Sequence, residues 1–533
     1  MRSPRVLLFA LALLVGFAVI AGIPRLGHAQ DRAPLDIVFG LGLPAVERGI
    51  VSGGSHVPGS PEAVRRLTVQ TSSTSPDLVG EAGSRYRRGR VIVKFRDGVS
   101  TPTRLSALSA ASRSASMSSR PDYADFDVVQ IDVNEDPAVI ARELSKRPDV
   151  EYAQPSHRVH TQLVPNDQYY KQLQWNLPLI DMERAWDIQP QAGSSIIVAV
   201  IDTGVAYATA TLTATLPAFT VDGVRYPALG RVTIPYAAAS QLGPASRFVA
   251  PRDFVCAGST TPLDFDGHGT HVSGTIGQLT NDSIGTAGVA FNVKLMPVKV
   301  LASVWDVAFG CASETGGFDE DVARGIRYAA DNGAKIANLS LGGPGPSGSS
   351  PVMEDAIKYA VGKGVFVAIA AGNEFEDGNP VEQPAEIATR VQGAVSVAAV
   401  DPLKQRSFYS STGSWVELSA PGGSNRGFGD NGFVWQQTFD FNYTDTFNLP
   451  PARFTAPRFD VLGIIGYIGT SQATPHVAGL AAMLMQQGIT DPAAIEAALE
   501  KFATDLGEPG RDPQYGFGLI EARNALRGLG IAK

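Results

Sequence analysis

The stretch Gly469-Thr-Ser-Gln-Ala-Thr-Pro-His-Val-Ala-Gly479, running on into the apolar Leu480–Met485, limits what this chain can become more than any other segment. A serine held between a Gly-Thr turn and the start of a helix projects its hydroxyl clear of the backbone, and its own N–H faces the place where a negative charge would develop. Ser471 is therefore a candidate nucleophile. Pro475 is expected in the first helical turn, where its missing N–H has no intrahelical partner. Val477, Leu480, Ala481 and Leu484 recur at three- and four-residue spacing, which buries one helix face and fixes the serine on a rigid element.

A serine hydroxyl needs a histidine base and a carboxylate that orients it. Of seven histidines, the best placed lie in Asp264-Phe-Asp-Gly-His-Gly-Thr-His-Val-Ser-Gly-Thr275, which offers His268 and His271. One helical turn apart, the two also match a zinc pair, although no third ligand or general-base glutamate accompanies them. The base is assigned to His268 and a packed, hydrogen-bonded role to His271. Ser195-Ile-Ile-Val-Ala-Val-Ile-Asp-Thr-Gly204 reads as a buried parallel strand that delivers Asp202 at its C-terminal end, a capping or turn aspartate being the alternative.

The order Asp202, His268, Ser471 is that of subtilisin, not of chymotrypsin or the α/β-hydrolases. The sequence resembles the subtilases in five blocks taken in the family's order: Ala199-Val-Ile-Asp-Thr-Gly204, Gly267-His-Gly-Thr-His-Val-Ser-Gly-Thr275, Asn338-Leu-Ser-Leu-Gly-Gly343, Ala370-Ala-Gly-Asn373 and Gly469 to Gly479. Gln472 stands where the family most often has methionine. The resemblance implies an α/β fold, a subtilisin-like parallel sheet covered by helices on both faces. It also implies that Asn373 and the Ser471 N–H form the oxyanion hole, and that Ser340, Leu341, Gly342, Ala371 and Gly372 line the edge that binds extended substrate. Leu279 to Ala290 is similar to the family's calcium loop, with Thr280, Asp282, Ile284 and Thr286 as ligands. The acidic ligand usual after the triad aspartate is missing, and an ordinary turn is the alternative.

Residues 1–29, with Arg2 and Arg5 ahead of an apolar run and Gly27-His-Ala29 at its end, read as a secretory signal peptide, a retained anchor being the alternative. Residues 30–88 read as a flexible linker or pro-segment. In residues 89–160, strands are expected at Arg90–Phe95, Phe126–Val133 and Val150–Pro155, with a helix capped by Asp136 and a loose helix or loop over Ser106–Ser119. This is a small α+β ferredoxin-like unit, similar to the subtilase inhibitor pro-domain; a retained binding module is the alternative. Residues 161–533 form the catalytic domain, with release expected between His160 and Asn166.

His268 follows Asp202 by 66 residues, so an extra surface loop or hairpin is expected between them, and Gly422–Tyr467 forms a second insertion. Cys256 and Cys311, the only cysteines, are expected to pair, two separate thiols being the alternative. The net charge of −8 argues against a nucleic-acid or anionic-membrane partner. The expected protein is a secreted, monomeric, self-processing serine endopeptidase acting on extended polypeptides and inhibited by its own pro-domain. It would need no organic cofactor, with a structural calcium implied by the loop. A catalytically silent scaffold and a zinc hydrolase are the competing classes.

Overall fold

The computed structural model describes residues 36–38, 86–121, 123–157, 163–221, 224–256, 259–348, 350–444 and 451–528. The signal-peptide stretch, nearly all of the 30–88 segment and the His160 end of the release region lie outside the described residues. The chain divides into two compact units, residues 42–161 and the remainder.

In the smaller unit, strands Tyr86–Phe95, Ser116–Ser119, Asp127–Gln130 and Val150–His157 form an antiparallel sheet. Helices Thr101–Ala111 and Pro137–Ser145 complete a β-α-β-β-α-β chain of ferredoxin-like order. Val91, Val93, Phe95, Leu108, Val129, Ile140 and Leu144 fill its core. Asp136 caps the second helix, its carboxylate accepting the Ala138 N–H at 2.8 Å. The first strand begins ahead of the boundary drawn at residue 89. Of the loose helix or loop expected over Ser106–Ser119, the first part is helical, in a helix that starts earlier, at Thr101, capped by Ser100 with Pro102 in its first turn, and the last part, Ser116–Ser119, is a strand.

The larger unit is built on seven strands: β1 Ile197–Asp202, β2 Arg252–Asp253, β3 Lys294–Lys299, β4 Ile336–Leu339, β5 Phe366–Ala370, β6 Ala394–Val400 and β7 Leu418–Pro421. They pair in parallel throughout, in the order β2-β3-β1-β4-β5-β6-β7. Helices α1 His268–Gly277, α4 Thr470–Gln486 and α5 Pro492–Phe502 share one core with Val198 and Val200 of β1. Helices α2 Asp319–Asp331 and α3 Pro351–Gly362 share another with Ala199 and Ile201. Because side chains alternate along a strand, Asp202 falls on the Val198/Val200 face, where α1 and α4 lie. Among the described residues, no helix is long and apolar enough to cross a membrane.

The first insertion is more than a loop. Ala210–Leu216 pairs antiparallel with Gly230–Tyr236 and with the short strand Asp36–Val38, and Phe219–Val221 forms a hairpin with Val224–Tyr226. The second insertion is a hairpin of Val434–Phe439 and Leu462–Tyr467. The two share an aromatic core: Phe219 stacks on Tyr226 at 5.0 Å, Phe454 stands edge-on to both, and Tyr236 meets Phe439 and Phe459. The Cys256–Cys311 disulfide forms, with Cα atoms 4.4 Å apart. Between β3 and α2, Val304–Ala308 is helical, closed by a Ser303/Asp306 capping box.

Candidate active site

Asp202 ends β1 fully buried. Its Oδ1 accepts the Thr203 N–H at 2.7 Å and Nδ1–H of His268 at 2.8 Å. His268 opens α1, and the helix start can close on the strand end because residue 269 is glycine: a Cβ there would lie 2.1 Å from the Gly204 carbonyl oxygen. Burial alone would lower the His268 pKa. The charge and hydrogen bond of Asp202, backed by Asp266 and Asp264, outweigh that and bring it up to about 9. Asp266 is pushed up to about 6 by burial and by the charge of Asp264.

Two residues that sequence reasoning did not assign hold this pair in place. Asp264 accepts from the N–H groups of Asp266, Gly267 and Thr270 and from the hydroxyls of Thr203 and Thr270, fixing the loop that delivers His268. Lys299 lies opposite Asp202 in the β3/β1 register and is fully buried. Its ammonium donates to the carbonyls of Thr203 and Leu263 and to Asp306, at 2.8, 2.9 and 2.9 Å. A lysine inside the apolar Leu295–Leu301 run was the available signal, because a buried ammonium must be paired.

Ser471 stands in the first turn of α4. Pro475, expected in that turn, lies in the second, four residues after Ser471. There it leaves the Ser471 carbonyl without its intrahelical donor. The Ser340 hydroxyl takes the vacant place, donating at 2.8 Å, and the Ser471 hydroxyl donates back to the Ser340 carbonyl at 3.1 Å. Asn373 accepts the N–H and hydroxyl of Thr470 on Oδ1, at 2.9 and 3.0 Å. That orientation leaves Nδ2 without a partner among the described residues, as a donor beside Ser471. Leu341 and Gly342 continue β4 beyond Ser340, and Ala371 and Gly372 continue β5 up to Asn373. The structure thus forms two clusters, Asp202 with His268 and Ser340 with Asn373 and Ser471. Among the described residues no hydrogen bond joins His268 to Ser471.

His271 is structural. Its Nε2 shares a proton between the carbonyls of Val434 and Ile465, 3.1 Å from each, and its ring stacks on Tyr467 at 4.3 Å. Burial pushes it down to about 3, so it stays neutral, and it ties the second insertion to α1. It is committed to that hairpin and His268 to Asp202, which does not support the zinc arrangement.

In the 279–290 loop the Asp282 carboxylate accepts the Ile284 N–H at 2.9 Å and lies 3.4 Å from Gln241 Nε2. Thr280 donates its hydroxyl to the Gln278 carbonyl, and the Thr286 carbonyl accepts from Gln278 Nε2. Upstream, buried Asp167 accepts the N–H groups of Asn281 and Asp282 and so lies against the same loop. The buried Gln241 Oε1 has no hydrogen-bond partner. Two carboxylates, an orphaned amide oxygen and loop carbonyls are hard oxygen donors of the kind calcium takes, although no group of three or more acidic, histidine or cysteine side chains gathers as a metal cluster among the described residues.

Residues 193–518 match the subtilase family, and residues 73–156 match the fervidolysin N-terminal prodomain. The thermophilic serine proteinase of Bacillus sp. strain AK1 is 29% identical over 466 residues, 87% of this chain and 94% of that protein. Thermitase of Thermoactinomyces vulgaris is 32% identical over 365 residues, 68% of this chain and 99% of thermitase. The solved structure titled as proteases from Pseudoalteromonas arctica has a TM-score of 0.51 at 26% identity, covering 69% of this chain and 99% of its own.

Proposed function

Because the chain belongs to the subtilase family, as a subtilisin-like serine endopeptidase preceded by a prodomain, we propose that Ser471 is its nucleophile, His268 its base and Asp202 the carboxylate that orients the base. The observation that carries this is the buried 2.8 Å bond from His268 Nδ1 to Asp202, on the sheet face that also receives the serine helix. With Nδ1 holding its proton toward Asp202, Nε2 keeps the lone pair a general base needs. The Ser471 hydroxyl turns from the Ser340 carbonyl to Nε2 and attacks the scissile carbonyl, and His268 passes the proton to the leaving amine. Asn373 Nδ2 and the Ser471 N–H receive the oxyanion, and water then releases the acyl group by the same route. Nucleophile, base and donors are all groups of the chain, so no organic cofactor enters.

The enzyme is secreted and monomeric, made as a precursor whose pro-domain assists folding and then blocks the cleft, the leader pattern and prodomain match supporting that reading. Residues 89–160 are the inhibitory unit and 161–533 the catalytic one. Asp167, Asp282, Gln241 and the carbonyls of Thr280, Ile284 and Thr286 would hold a calcium ion, whose part would be structural. Chelation should lower the melting temperature by several degrees, with calcium restoring it and magnesium failing to. The decisive test follows intact mass of the precursor, wild type beside Ser471→Ala, in calcium. Conversion of the wild type alone to a species beginning near residues 160–166 supports self-processing by Ser471; two folded, unconverted proteins would favour the silent scaffold.

A further inference from the structure

Behind Asn373 lies a pair of acids that the catalytic steps do not use. Glu382–Gln383 forms a short strand paired antiparallel with Gly343–Pro344. This places Glu382 against the ends of β4 and β5. Gly372 has φ +107°, and a Cβ there would lie 2.3 Å from Glu382 Cγ; a Cβ on Gly342 would lie 3.0 Å from the Gln383 carbonyl oxygen. Both positions lack a side chain where residues 382 and 383 come close, one beyond Ser340 and the other beside Asn373.

Glu382 is 1% exposed, and apart from the carboxyl of Glu374 no hydrogen-bonding group reaches either carboxylate oxygen. Its polar neighbour is a second carboxylate, Glu374, which accepts the Asn373 N–H. Burial and the facing Glu374 push Glu382 up to about 9. Among the described residues neither acid has an ion-pair partner. The nearby arginines are engaged elsewhere, Arg426 with Glu376 and Arg406 over the Phe375 ring. A buried acid without a donor or counter-charge is a poor structural element but a good receptor for a cation.

We propose that the slot between Ser340–Gly342 and Ala371–Asn373, floored by Glu382 with Glu374 beside it, receives the side chain of the substrate residue that precedes the scissile bond, and that this residue is lysine or arginine. The proposal rests on the protease reading above. With the scissile carbonyl at Ser471 and its oxygen at Asn373, the side chain on the adjoining Cα leaves the reaction centre beside these two strand ends. An apolar side chain there would leave buried Glu382 with only a second acid beside it, whereas an ammonium or guanidinium supplies donors and a counter-charge.

The test uses processed enzyme and fluorogenic peptides that differ only in that residue: Arg, Lys, Phe, Leu or Glu. A fluorophosphonate label counts active sites in each preparation. In the wild type, kcat/KM for Arg and Lys should exceed that for Phe at least tenfold. Glu382→Gln should lower it roughly 10²-fold for the basic peptides and change it less than threefold for Phe. If Glu382→Gln yields no labelled protein, Glu374→Gln carries the same comparison. A labelled enzyme that cleaves Phe as well as Arg, or a Glu382→Gln variant equally impaired on all peptides, overturns the proposal and leaves the protease reading intact. Failure of both labelling and cleavage overturns the protease reading instead. Binding of p-aminobenzamidine then decides the slot: tenfold weakening in Glu382→Gln supports it, and no binding to the wild type overturns it.

Discussion

Asn373 is a residue whose worth can be measured without disturbing the fold, because its Oδ1 bonds to Thr470 are local while its Nδ2 waits for substrate. Asn373→Ala should reduce kcat by about 10²–10³ with KM nearly unchanged, the size of effect that loss of the corresponding side-chain donor has in subtilisin. An unchanged kcat would remove Asn373 from the oxyanion hole. As the proposed base, His268 would set the pH dependence. Only its neutral form can accept the serine proton, and the surrounding acids bring it up to about 9, so kcat/KM should rise with pH into the alkaline range. Asp266→Asn removes one of the charges that raise it and should move that limb to lower pH; an unmoved limb would assign the titration to another group. The places of Asp202, His268, Asn373 and Ser471 at the ends of strands and helices were legible in the sequence because each lies in a short motif whose geometry is local. Asp264, Lys299, Asp167 and Glu382 were not, because their roles depend on which distant segments bury them. A lysine beside Asp202 becomes intelligible only when β3 is known to pair with β1.

Elements were legible where periodicity was strong and obscure where the chain departs from compact relatives. The apolar strand ending at Asp202 and the helix following Ser471 come directly from side-chain spacing, whereas the two insertions gave only length and aromatic content. Their packing depends on a bridge between Tyr236 and Phe459, residues far apart in the chain. Pro475 is the instructive error. Its place in the second turn costs the helix a bond, and the freed Ser471 carbonyl becomes the point at which Ser340 grips Ser471, the proposed nucleophile. Ser340→Ala should therefore lower kcat while substrate affinity holds, whereas a purely structural role would show only as a lower melting temperature. The disulfide joins the loop after β2 to the loop after Val304–Ala308, across a separation of 55 residues. Replacing both cysteines by alanine should cost about 3–4 kcal/mol from loop-closure entropy. Denaturant unfolding of the Ser471→Ala background, which cannot digest itself, would measure it. A change below about 1 kcal/mol would mean that the aromatic core alone holds the insertion.

For the molecule as a whole, activity and stability respond to pH in opposite senses. Glu417, just ahead of β7, and Glu496 and Glu500 of α5 line a cavity with Arg511 and Phe517. Burial, then the charge of Glu496, raises Glu417 to about 8. Burial, then Glu500, brings Glu496 to about 7 against the bond from the Gly393 N–H, and burial raises Glu500 as well. An unfolded glutamate titrates near 4.3, so between that value and about 8 the folded protein holds protons that the unfolded chain has released. Stability contributed by these groups is complete below the unfolded value and is lost as pH rises through the folded ones. His268 acts in the same direction at a higher window, since its raised pKa stabilises the fold below about 6.5 and ceases to do so above about 9. The melting temperature of the Ser471→Ala protein, measured throughout in calcium buffer, should therefore fall by roughly 5 °C or more between pH 5 and 9. The double variant Glu417→Gln, Glu496→Gln should flatten part of that slope, His268 and Glu382 keeping the rest, while leaving the alkaline rise of kcat/KM in place in the active enzyme. A melting temperature that held level or climbed over this interval would mean that water or Arg511 neutralises the cavity. If instead the slope flattened and the kinetic limb moved with it, the cavity and the catalytic histidine would be coupled across the sheet.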